Sequence, residues 1–161
     1  MLSDQPNLVP HLEKLSTQLE GSLQFDRLTR TLYATDASVY REMPLAVAFP
    51  KSESDIQKLI HFATEHGTSL IPRTAGTSLA GQCVGNGIVV DVSKHFTQIL
   101  EFNQEERWVR VQAGVVKDQL NAALKSAGLF FAPELSTSNR ATVGGMINTD
   151  ASGQGSCTYG K

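Results

Sequence analysis

The sequence predicts an α+β fold of two subdomains, a first with a short parallel sheet and helices and a second that is antiparallel and truncated. Three observations predict it. Apolar runs at 45–49, 69–71 and 88–92 alternate with a helical stripe and a loop, and uniformly apolar runs of strand length suit parallel strands covered by helices. Beyond a boundary near Phe96 the pattern changes to the period-two alternation of a half-exposed hairpin. With 40% apolar residues, 19% charged residues and a net charge of −2, the chain has mass for one core and too little charge to stay expanded.

Taken in order, residues 1–43 read as a helical lead-in. Leu8, Leu12, Leu15 and Leu19 form one helical stripe, followed by Gly21 as a stop. The first subdomain is expected over 44–96. Leu45 to Phe49 reads as a buried strand closed by Pro50, and Ser52 with Asp55 as a capping box. Ile56, Leu59, Ile60 and Ala63 follow on one helical face, with Gly67 as the left-handed cap. Ser69 to Ile71 is a second strand stopped by Pro72, and Ile88 to Val92 a third. The second subdomain, 97–161, opens with a hairpin, Gln98 to Phe102 and Arg107 to Gln112, turning at 103–106. In it Val109, Val111 and Ala113 face one way, and Trp108, Arg110 and Gln112 the other. Val116, Leu120, Ala123, Leu124 and Ala127 make a helical stripe ended by Gly128, and Phe130 to Ala132 a short strand. These elements do not complete a covered sheet, so the second subdomain is expected to be incomplete at Lys161.

Several classes fall away. Cys83 and Cys157 lie far apart and outside any C-x-x-C pattern, so neither a disulfide framework nor a metal site is expected. Two free thiols fit a reducing, cytoplasmic setting. Met1 to Pro10 contains Asp4 and two prolines and no apolar run, unlike a signal peptide. No stretch reaches transmembrane length, and no Lys/Arg cluster points to nucleic acid. His11, His61, His66 and His95 form no constellation; Asp36 and Asp91 could be mistaken for catalytic acids, but Asp91 closes a strand and reads as a local cap or partner.

Two loops are built to approach an anion. The first is P-R-T-A-G-T-S-L-A-G-Q, Pro72 to Gln82, between two apolar strands. Small residues let backbone N–H groups converge, and Thr74, Thr77 and Ser78 add hydroxyls. Arg73 adds charge. A hydrogen bond to a charged group is worth about 1.5–3 kcal/mol net, so a handful would hold a diphosphate. The second loop, Pro133 to Gly153, is small and polar around Gly144 and Gly145. No G-x-x-x-x-G-K-[ST] and no G-x-G-x-x-G opening a helix occurs, which argues against P-loop and Rossmann sites.

The two loops in this order, P-R-x-x-G-T-S-L-x-G and then T-V-G-G-M-I-N-T-D-A-S-G, resemble the FAD-binding domain of the p-cresol methylhydroxylase and vanillyl-alcohol oxidase (PCMH-type) family. The resemblance runs from about Thr35 to Lys161. The entry stretch YATDASVY, Tyr33 to Tyr40, with Pro44 and Val47 to Pro50, matches as well. The chain looks most like the D-lactate dehydrogenase, glycolate oxidase and D-2-hydroxyglutarate dehydrogenase branch. Its segment FAPELSTSNRATVGGMINTDASGQG is similar to large bacterial members that carry an iron–sulfur domain after the flavin domain. The resemblance implies two FAD subdomains with the cofactor between them. Arg73, Thr74, Ala75, Gly76, Thr77 and Ser78 would wrap the diphosphate, and Gly81 and Gln82 would continue that contact. Pro133 and Ser136 would lie along the flavin or its ribityl chain. Thr142, Gly144 and Gly145 would approach the diphosphate from the other side, and Asn148 and Ser152 would sit near the isoalloxazine edge. Thr77 stands where some relatives have a histidine bonded to FAD, so the cofactor should be non-covalent.

The implied activity is transfer of hydride from a small 2-hydroxy acid to FAD, and on to an electron acceptor that the residues do not name. In the family the substrate site lies largely in a later domain. No catalytic residue is therefore expected in this chain, and no turnover by it alone. Localisation is expected to be cytoplasmic, with peripheral membrane association open for the intact enzyme. Two rivals remain: a reductase or carbohydrate oxidase on the same FAD domain, and a non-catalytic fragment that self-associates through an open sheet edge.

Overall fold

A computed structural model describes residues 8–160. The first seven residues, which carry part of the argument against a signal peptide, and Lys161 lie outside the described residues. The chain divides into two compact units: residues up to Pro72 with Ser78–Asp91, and Arg73–Thr77 with Val92 onward.

The first unit holds a mixed four-stranded sheet in the order β1-β2-β4-β3. Helix α1 (Val9–Ser16) carries Pro10 in its first turn, where no N–H is needed, and buries Leu12 and Leu15. It ends five residues before Gly21, the predicted stop. Gly21 serves the sheet instead: a Cβ there would stand 2.1 Å from the Phe49 carbonyl oxygen. That close approach admits β1 (Ser22–Gln24), antiparallel to β2 (Ala46–Phe49) with Ser22 opposite Phe49. The expected parallel sheet thus gains an antiparallel edge strand from the lead-in. Helix α2 (Arg27–Leu32) starts at Asp26, whose carboxylate accepts from Thr29 N at 3.0 Å.

β2 runs parallel to β4 (Ile88–Asp91), and both are buried throughout. Strand β3 (Leu70–Arg73) continues through Pro72, where the sequence predicted a stop. Ile88 N donates to Ser69 O and Val92 N to Arg73 O, so odd-numbered residues of β3 face β4 and the strands are parallel. Pro72 therefore turns its missing N–H to the open edge of the sheet, where a proline is tolerated.

Helix α3 (Glu53–His66) begins at Ser52, whose hydroxyl accepts from Asp55 N, and ends at Gly67 with φ +62°. Its buried stripe is Asp55, Leu59, Phe62 and Ala63, rotated from the predicted one; Ile60 is 50% exposed. Asp55 makes only half of the capping box. Its carboxylate accepts instead from the backbone N–H groups of Glu20, Gly21 and Lys51, each at 2.9 Å. Burial disfavours the charge, yet those donors and Lys58 more than offset it and hold the carboxyl below its ordinary value. Asp55 thereby ties the segment before β1 to the start of α3. Asp91 is also a structural partner, accepting from the Tyr33 hydroxyl at 2.7 Å.

The second unit holds the hairpin of β5 (Ile99–Asn103) and β6 (Trp108–Val111), with a bulge between Ile99 and Glu101. Glu101 and Arg110 are register partners and pair at 2.9 Å on the exposed face. Val109 and Val111 pack against a core of Val115, Leu120, Leu124 and Val143. Helix α4 (Lys117–Leu124) tightens into a 3-10 turn, Lys125–Ala127, capped by Gly128 at φ +68°.

Phe130 to Ala132 is not a strand. The Asn121 carboxamide on α4 accepts from Phe131 N at 2.7 Å and donates to Phe131 O at 3.4 Å, taking the place of a strand neighbour. The second glycine-rich segment is not one long loop either. It holds α5 (Val143–Asn148), capped by Thr142, and a short α6 (Ser156–Tyr159). Neither cysteine is in a disulfide: the buried Cys83 thiol donates to Asp36 Oδ2 at 3.6 Å, and Cys157 is exposed.

Candidate cofactor-binding site

The site is built within the second unit. Where β3 ends, Arg73–Thr77 leaves the sheet, and Gly76 takes φ +66°, a conformation that favours glycine. The N–H groups of Ala75, Gly76 and Thr77 meet no acceptor among the described residues. These successive donors sit in a segment of small side chains. The Arg73 guanidinium folds back over its own segment: its Nη2 stands 2.6 Å from where a Cβ on Gly76 would be.

Opposite lies the stretch 141–145, which runs beside 113–117. Lys117 N donates to Ala141 O, Val143 N to Val115 O and Gly144 N to Ala113 O, at 2.9–3.0 Å. This pairing fixes Thr142, which is 2% exposed. The Thr142 hydroxyl donates to Thr74 Oγ1 at 2.9 Å and accepts from Gly145 N at 3.4 Å. A Cβ on Gly145 would lie 3.2 Å from Thr74 Oγ1. Thr74, Thr142 and Gly145 are thus in one place, at the root of the free-donor segment.

A cleft of about 480 Å³ opens beside them, within the size range of small-ligand sites. Ala75 and Thr142 belong to its lining. Ser93 and Thr97 come from the turn after β4, Gly114 and Val116 from the chain entering α4, and Gln119 from α4 itself. Asn139 and Arg140 complete the wall.

The profile of the family described as FAD binding domain matches residues 44–161. The chain belongs to this family. A D-2-hydroxyglutarate dehydrogenase of Pseudomonas putida is 58% identical over 159 residues, covering 96% of this chain and 16% of that protein. Glycolate oxidase subunit GlcD of Bacillus subtilis is 35% identical over 147 residues, 89% of this chain and 31% of that subunit. Among solved structures, an alkyldihydroxyacetonephosphate synthase matches with a TM-score of 0.83 at 20% identity, over all of this chain and 33% of that one, which establishes the PCMH-type α+β fold. The chain therefore spans about a sixth of the length of the curated dehydrogenase relative.

The geometry fits the family's cofactor, FAD. A diphosphate needs several donors, and the N–H groups of Ala75, Gly76 and Thr77, which meet no acceptor among the described residues, stand at a cleft of suitable size that Ala75 lines. The other residues singled out by sequence are placed differently. Gly144 has its N–H engaged, and a Cβ there would meet Ala113 Cβ at 2.7 Å and Ala113 O at 2.9 Å, so it serves close packing. Pro133 is half-buried, and Ser136, Asn148 and Ser152 are exposed; none of the four lines the cleft. Ser78, Gly81 and Gln82 belong to the first unit. There the Ser78 hydroxyl donates to Gln82 Oε1 at 2.8 Å and accepts from Ala80 N, and Gly81 at φ +70° lies against the Tyr40 ring.

Sequence reasoning did not single out Ser93, Thr97, Gln119, Asn139 or Arg140. Asn139 and Arg140 lie one residue, Ala141, before the T-V-G-G stretch and were within reach of a closer reading. Gln119 had no signal, being one polar residue on a helix whose partner surface only folding defines.

Proposed function

We propose that this chain is the FAD-holding part of a flavin-dependent 2-hydroxy-acid dehydrogenase, of the class that oxidises D-2-hydroxyglutarate, glycolate or D-lactate. The observation that carries this reading is the row of unengaged N–H donors at Ala75–Thr77 beside the cleft, in a chain 58% identical to a D-2-hydroxyglutarate dehydrogenase. FAD, when bound, supplies the acceptor for the hydride of the substrate's α-carbon. The chain's own part is binding and orientation. Arg73 to Thr77 would hold the diphosphate, with Thr142 and Gly145 bracing Thr74, and by the family resemblance Ser78, Gly81 and Gln82 would extend the contact. By the same resemblance Pro133, Ser136, Asn148 and Ser152 would lie along the flavin. Thr77 offers no imidazole, so the cofactor is held without a covalent bond. Residues 44–96 and 97–161 act as the two FAD subdomains after a lead-in of 1–43. The protein works in the cytoplasm; among the described residues, no helix is long and apolar enough to cross a membrane.

Titration of FAD into the purified chain tests the binding half of this reading. Saturable binding that is weakened by Gly76→Asp is the expected result, because the new carboxylate stands against the diphosphate. Saturable binding left unchanged by that variant would overturn the placement of the diphosphate. No substrate base is assigned to these 161 residues, and they are expected not to turn over by themselves. Steady oxidation of D-2-hydroxyglutarate by the chain alone would overturn that part.

One observation favours a second reading, self-association. β5 and β6 form a two-stranded sheet, and Ile99, Leu100 and Phe102 are 39–53% exposed on it. Open edges and exposed apolar strand residues invite pairing. Light scattering is expected to show a mass that rises with concentration, and a monomer throughout would refute this reading.

A further inference from the structure

Nothing in the sequence couples His11 to His66; the fold does. In the first unit the chain from α1 to β1 runs back along α3, and contacts in register fix it there. Asp55, in the first turn of α3, accepts from the N–H groups of Glu20 and Gly21. One turn further, Lys58 Nζ donates to Gln18 O at 2.8 Å. At the far end of α3 the His66 ring meets the His11 ring of α1, with centroids 4.5 Å apart and planes inclined at 56°. On its other side His66 touches the buried Phe62 ring, centroids 4.4 Å apart, so its position is confined from within the protein. No hydrogen bond or ion pair engages either imidazole among the described residues. His11 is exposed and His66 half-buried, which leaves the pair open to solvent on one side.

Two unengaged imidazoles from neighbouring helices are a chelating pair. A metal–imidazole bond of about 2.0–2.1 Å places a ring centroid about 3.2 Å from the ion, and two centroids at the observed spacing then subtend about 90° at it. That is the cis angle of octahedral or square-planar coordination. His66 also lies in the last turn of α3, where the helix dipole favours a cation. We propose that His11 and His66 together take one divalent transition-metal ion of the kind that prefers imidazole, such as Ni2+ or Zn2+. Among the described residues no third His, Cys, Asp or Glu completes the set, so water fills the remaining positions. The bound ion clips the lead-in helix α1 to the end of α3. Because it binds the folded pair and not two distant residues of an unfolded chain, it stabilises the first unit.

The test titrates NiCl2 and ZnCl2 into the chain and into His11→Gln, His66→Gln and His61→Gln. All carry Cys157→Ser, so that the exposed thiol does not compete for metal. One saturable site is expected in the parent and in His61→Gln, whose ring is exposed on α3 outside the pair, and it is expected to be lost in His11→Gln and in His66→Gln. Metal at a hundredfold excess over its Kd should raise the thermal midpoint of the parent by about 5 °C or more. It should leave the midpoint of His11→Gln unmoved, and MgCl2, which prefers oxygen ligands, should move neither. His11 is exposed, so His11→Gln is expected to fold and decides the matter even if His66→Gln does not. A parent that binds neither ion, or one whose binding survives undiminished in His11→Gln, would overturn the proposal. An equal response to MgCl2 would overturn it as well, by assigning the site to carboxylates.

Discussion

The two glycine-rich segments look alike as sequence and differ as structure. At 75–77 the backbone donors are unengaged among the described residues and Gly76 is left-handed. At 143–145 the donors go to Val115 O, Ala113 O and the Thr142 hydroxyl, and the glycines lie inside a helix. One segment leaves its hydrogen-bonding capacity available, and the other uses it to hold the fold. Glycine content alone does not separate these roles. Following each N–H to its acceptor does, because every main-chain donor must be satisfied by something.

The largest effect separating the two is expected from Gly144→Val. Its Cβ would stand 2.7 Å from Ala113 Cβ and 2.9 Å from Ala113 O, and backbone on that side cannot give way cheaply. Overpacking of this kind costs about 3 kcal/mol, to be seen as a lower thermal midpoint with or without FAD. Gly76→Asp comes next and has the opposite signature. Its strained φ costs about 1 kcal/mol of stability, whereas FAD affinity falls about tenfold or more, which is about 1.4 kcal/mol or above. If Gly76→Asp lost stability as heavily as Gly144→Val, the contrast between cradle and packing element would collapse.

Thr142 belongs to both roles, and a smaller effect follows. Thr142→Val keeps the shape and removes the hydroxyl that caps α5 and meets Thr74. Loss of an N-cap costs about 1 kcal/mol. Thermal unfolding should show that loss, together with a weakening of FAD binding smaller than that of Gly76→Asp, because Thr74 loses its brace while the donors of 75–77 remain.

The same accounting explains what sequence reading could reach. β2, α3 and β4 were visible because Pro50, Ser52 and Gly67 punctuate long apolar patterns. β1 was not, since three residues carry no readable period, and its cause lies at Gly21 against Phe49. α5 was hidden by Gly144 and Gly145, each about 1 kcal/mol poorer than alanine in a helix, and is imposed by contact with 113–115. The segment 73–77 was legible as a candidate because its chemistry is local. The cleft was not: Ser93, Gln119 and Arg140 become neighbours only when distant segments pack.

Acid tests the comparison with a perturbation that touches neither segment. Asp55 is fully buried in the first unit, and its carboxyl lies below the ordinary value of 3.8. A depressed folded-state value means that the charged form stabilises the fold above the unfolded value. That contribution is then lost as pH falls through the folded value. Thermal midpoints should therefore be flat at neutral pH and decline below about pH 4, with protonation releasing the backbone donors of Glu20, Gly21 and Lys51. Asp55→Asn should melt lower than wild type at pH 7, and the difference should narrow as the wild-type carboxylate is protonated. Gly144→Val should instead shift the whole curve downward and keep the wild-type acid slope, since its strain involves no titrating group. An acid slope that survives in Asp55→Asn would assign the pH dependence to another carboxylate. A slope altered by Gly144→Val would mean that the packing of 143–145 is coupled to the Asp55 tie, and that the second segment's structural role extends beyond its own unit.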